Sequence, residues 1–146
     1  MKKSIRIASA AAILAATAAI AHSAVENEAV KARMDSMSTI GMNLKTLGDM
    51  AKGTTDFNAD AANAAAAAIA EEAAMVPALF EPQEDDPESE ALPAIWENWD
   101  DFTAKAGDLE TAASDASGSI ASVEDIGAAM QAIGPTCMAC HRAYRE

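Results

Sequence analysis

Apolar positions recur three and four residues apart through most of this chain, and nowhere do they alternate long enough to argue for a strand. The clearest case lies near the C-terminus. Val123, Ile126, Met130, Ile133, Cys137, Cys140 and Tyr144 follow one another at alternating intervals of three and four, which is one continuous stripe along a helix. Ser122 just before the stripe, with Asp125 three residues on, supplies a helix start. A second stripe, Val30, Met34, Met37, Gly41 and Leu44, falls inside a helix predicted over residues 28–53 and ended by GTTDFN. An alanine-rich helix is predicted over residues 61–78, ending around Pro77, a third helix over 93–116 and a fourth over 123–145. Gly134 and Pro135 fall within the last of these, where the missing proline donor predicts a kink. Four helices with mostly short connections predict an all-α fold, an antiparallel four-helix bundle.

Two stretches stand outside that pattern. Residues 81–90, EPQEDDPESE, hold six carboxylates and two prolines and read as a solvated loop. At the other end, Lys2, Lys3 and Arg6 precede an uncharged apolar run over residues 7–21, shorter than the roughly 20 residues a membrane span needs. Residues 1–24 therefore read as a signal peptide, cleaved after Ala21 or Ala24, that sends the protein to the periplasm. What remains, residues 25–146, is expected to be one bundle domain with no membrane insertion. Cleavage removes three positive charges and no acid, so the formal net charge moves from -13 to -16. Such a surface repels nucleic acid and anionic lipid and attracts positive partners, though acidity also serves solubility alone.

The candidate chemistry sits in CMACH, residues 137–141, which contains both cysteines of the chain. His141 is four residues after Cys137, so two thiols and an imidazole project from nearly one helix face. Core cysteines are often only packing. A thioredoxin-like pair would open its helix at the first cysteine, whereas this helix is predicted to start about fourteen residues earlier. A closed zinc site wants four good ligands, and beyond the leader the chain offers two thiols and one histidine. Covalent haem attachment, with the thiols adding to the vinyl groups and His141 ligating iron, uses the whole motif. A chain with only 4% aromatic residues also has room for a large planar cofactor in its core.

These residues resemble the class II c-type cytochromes, the cytochrome c′ family. The resemblance is carried by AVKARMDSM at 29–37, ALPAIWENW at 91–99 and CMACHRAYR at 137–145. It implies one covalently bound haem c on Cys137 and Cys140, with His141 as the axial iron ligand. It further implies Arg33 near the haem propionates, Met34 at the haem edge, and Met37 facing the iron from the open side as a possible distal ligand. Arg145, one turn beyond His141, matches an arginine that sets the charge near the imidazole. Trp96 and Trp99, three residues apart, are expected to pack against the bundle or the haem edge.

The expected function is electron transfer with a positively charged redox protein. Binding of nitric oxide or carbon monoxide at an open, five-coordinate haem is the alternative. The resemblance also makes a homodimer plausible. No nucleophile paired with a base and no distal histidine is visible in the sequence, so no enzymatic turnover is expected.

Overall fold

The computed structural model describes residues 25–146; the expected signal peptide lies outside the described residues. Five helices follow in order: α1 (Glu28–Ala51), α2 (Ala59–Phe80), the single turn α3 (Ala94–Glu97), α4 (Trp99–Ala116) and α5 (Val123–Tyr144). The four long ones form the expected bundle, each packing on its sequence neighbour, with α5 closing the ring against α1. Three of the four begin at a residue whose side chain caps the free amides. Asn27 accepts from the amides of Ala29 and Val30, and Asn58 from that of Ala61. Ser122 accepts from the amide of Asp125, while the Asp125 carboxylate accepts from Ala121 N and Ser122 Oγ.

The contacts of α2 with α1 and α4 are the most extensive in the molecule. Its inward face is built largely of methyl groups: Ala62, Ala65, Ala66, Ala70 and Ala73 are all buried there around Ile69. Two apolar clusters share the interior. One holds Leu47, Ile69, Ile126 and Ile133 with the alanines. The other holds Val76, Phe80, Ile95, Phe102 and Tyr144, with Trp96 and Trp99 packed against it. Five of the six aromatic side chains therefore gather at one end of the bundle.

Several boundaries differ from expectation. The second helix carries Pro77 and runs on to Phe80, because Val76 and Phe80 are buried on one face and hold the last turn in place. The third breaks at Asn98, whose backbone leaves the helical region (φ -128, ψ 48) while its amide and side chain both return to the carbonyl of Ala94. The fourth keeps its expected bounds to within a residue, Val123–Tyr144, and is helical through Gly134 and Pro135, with the Thr136 hydroxyl donating to the Ile133 carbonyl at 2.7 Å. In α1 the buried positions are Val30, Arg33, Ser36, Ile40, Leu47, Gly48 and Met50. The expected stripe is thus rotated: Met34, Met37 and Leu44 are half-buried and Gly41 is exposed. The flat alanine face of α2 draws α1 toward itself and leaves the methionines turned to one side. Val123 at the start of the α5 stripe is likewise exposed.

Candidate functional site

A cavity of about 400 Å³ opens at the aromatic end of the bundle, between α1, the end of α2, the following loop and the last turns of α5. Val30, Met34, Val76, Phe80, Ile95 and Phe102 give it an apolar wall. Cys140, His141 and Arg145 reach it from α5 and the residue beyond, and Arg33, Met34 and Met37 from α1. Six of the eight expected site residues therefore meet at one cavity. Cys137 and Trp96 are not on its wall.

The two thiols are free and half-buried, one helical turn apart. Cys137 packs against the first apolar cluster and Cys140 against the second, and Met37 touches both. Burial pushes both thiols above the ordinary cysteine value. They also lie deep within α5, whose N-cap is Ser122. That is the reverse of an activated redox pair, where the thiolate is stabilised at a helix start. His141 is held below the ordinary imidazole value, first by desolvation, then by the charge of Arg145, with Glu90 opposing. A neutral imidazole keeps a lone pair free for a metal.

Arg33 lines the cavity, and its guanidinium is held by main chain. It is only 3% exposed. Its Nε donates to the Leu79 carbonyl (3.0 Å), Nη1 to that of Glu84 (2.8 Å) and Nη2 to that of Pro82. The guanidinium stacks over the rings of Phe80 and Trp96. It gathers the carbonyls that leave α2. Trp96 supports the same turn, its indole N–H donating to the Phe80 carbonyl at 2.7 Å.

Three features were missed in the sequence. Within the acidic loop, Asp86 is buried and accepts from the backbone amides of Glu26, Asn27 and Glu88, which depresses its pKa. Tyr144 donates to Asp101, so its phenol is pushed up to about 12, and its ring meets Phe102 edge-on at 5.4 Å. Residues 90–92 run antiparallel to residues 144–146, with Glu90 paired to Arg145. Each joins positions more than forty residues apart. Only the helical phase of Tyr144 hinted at any of them.

Known proteins match this arrangement. The family model described as Cytochrome C' covers residues 28–145. The chain belongs to the cytochrome c′ family. It is 39% identical over 115 residues to a cytochrome c-556 of Agrobacterium tumefaciens (strain apple 185), covering 78% of this chain and 91% of the relative. Among solved structures it resembles cytochrome c′ from Rhodopseudomonas palustris, with a TM-score of 0.76 at 27% identity, over 83% of this chain and 98% of the other. A structural model of oxidized R. palustris cytochrome c556 gives a TM-score of 0.75 at 31% identity, over 82% and 96%.

As a cytochrome c′ family member the chain carries covalent haem c, and the site fits the group. Of two unpaired thiols at the CxxCH spacing, that of Cys140 lines a largely apolar cavity together with the His141 imidazole, and that of Cys137 lies one helical turn away.

Proposed function

We propose that this cytochrome is an exported electron carrier of the periplasm, in which His141 and Met37 would hold the haem iron. The observation that carries the reading is that the Met37 thioether and the His141 imidazole line one cavity, with Met37 half-buried between the two apolar clusters. When bound, haem supplies a one-electron couple between ferric and ferrous iron. The chain's own residues do the rest. Cys137 and Cys140 anchor the group through thioethers. Neutral His141 donates through nitrogen. Val30, Val76, Phe80 and Phe102 exclude water from the cavity, which limits solvation of the ferric charge. The role proposed is transport rather than catalysis.

Capture of nitric oxide or carbon monoxide is the second reading. Met37's neighbour on the cavity wall is the small Ser38, and a flexible thioether packs beside an open iron as readily as it ligates. One substitution separates the two. If Met37 ligates, the parent protein is low-spin and slow to bind carbon monoxide, and Met37→Ala turns it high-spin, lowers its potential and opens it to the gas. A parent protein already high-spin and reactive toward carbon monoxide sinks ligation by Met37 and promotes gas binding.

A further inference from the structure

Glu90 closes the acidic loop and lies beside the helix that bears His141. Its Oε2 accepts from Nε of Arg145 and pairs with Nη2 of the same guanidinium. Main chain reinforces the contact: Glu146 N donates to Glu90 O at 3.0 Å and Leu92 N to Tyr144 O at 3.0 Å, around an antiparallel bridge between Ala91 and Arg145. Arg145 N in turn donates to the His141 carbonyl at 3.1 Å. Glu90, His141 and Arg145 all line the haem cavity.

We infer that Glu90 is a positioning residue for the proximal side of the haem, holding Arg145 in one place beside His141 and pinning the chain end that follows the ligand. The inference rests on His141 serving as the axial ligand. An exposed ion pair contributes little to stability on its own, and both side chains here remain about half exposed. So short a ladder would not persist alone either. What the combination does is select a geometry. Tyr144, buried against Phe102, anchors one side of the ladder, and the Glu90 side chain fixes which way Arg145 points. With the pair intact the imidazole has an ion pair fixed beside it; without Glu90 it has a loose cation.

The test uses the haem-loaded protein with Glu90→Gln, Arg145→Gln, the double variant, and Glu88→Gln, which removes an equal charge from the same cavity wall. The midpoint potential and the amide exchange of Leu92 and Glu146 are read in each. Glu90→Gln is expected to raise the potential, because a negative charge is lost and Arg145 is released. It is also expected to speed exchange at both amides. In the Arg145→Gln background its effect on potential should fall to less than half, while that of Glu88→Gln should be the same in either background. Equal, strictly additive shifts from the two glutamates would show that Glu90 acts only as surface charge and overturn the inference, as would unchanged exchange at Leu92 and Glu146. A parent protein with no reversible one-electron couple would defeat the electron-carrier reading, and the exchange measurement alone would then decide the positioning role.

Discussion

Arg33 shows how much a single side chain can organise. A planar guanidinium presents five donors in a fixed fork, and here three of them meet main-chain carbonyls of Leu79, Pro82 and Glu84, the stretch where α2 gives way to loop. Desolvation draws its pKa down, while Glu84 and Asp85 pull the other way, so the cation is retained by the acidic loop it holds. Replacing it by leucine strands three acceptors. Arg33→Leu is expected to lower the urea-unfolding stability of the haem-loaded protein by about 3 kcal/mol, given that a hydrogen bond to a charged group contributes about 1.5–3 kcal/mol and that the three do not add fully. Arg33→Lys should recover less than half of the loss, since an ammonium cannot span the same three carbonyls. A lysine variant as stable as the parent would mean that charge alone matters there. In the sequence this arginine reads, through the family resemblance, only as a propionate partner. Its observed partners are backbone atoms 46 to 51 residues away, and backbone acceptors leave no residue-type signature.

Among the elements, the start of α1 depends on the loop that follows α2. Asn27 caps the helix locally, but the amides of Glu26 and Asn27 are satisfied by Asp86. Those hydrogen bonds, led by the one from Glu88, depress the Asp86 pKa. Its unfolded counterpart titrates at about 3.9, so as pH falls the unfolded chain takes up the proton first. The stabilisation is complete above that value and declines as acid carries the protein down through the lower folded pKa. Asp86→Asn should therefore lower thermal stability at neutral pH and flatten the acid limb of a melting-temperature profile. An unchanged limb would place the acid sensitivity elsewhere, with Asp49, Asp101 and Asp125 the other depressed carboxylates among the described residues.

The helices were legible because period and caps are local: Ser122 and Asp125 mark the start of α5, and CMACH declares its chemistry within five residues. The phase of α1 was less so. Met34, Met37, Gly41 and Leu44 fit a stripe as well as Val30, Ile40 and Leu47 do, and only the partner helix decides which is buried. Pro77 misled for a related reason. Packing of a whole helix face outweighs one missing donor, so a rule that reads proline as a boundary fails where neighbours hold the next turn.

At the scale of the molecule, charge governs encounter. Residues 25–146 carry a formal net charge of -16, and Glu88 and Glu90 stand on the wall of the haem cavity itself. We expect reduction by a cationic redox protein to slow by an order of magnitude or so between low and about 0.5 M salt, as the Debye length falls below about 5 Å. A rate indifferent to salt would confine the acidity to solubility.

The alanine face of α2 carries a mechanical consequence. A methyl group has no rotamer to change, so α2 meets its neighbours as a rigid plate, without the entropy that longer side chains lose on packing. Across the bundle, where α1 touches α5 more sparingly, Met34, Met37 and Met130 each bring three flexible torsions. Adjustment to the cofactor is thereby confined to one seam, with a stiff backing behind it and a pliable lining in front.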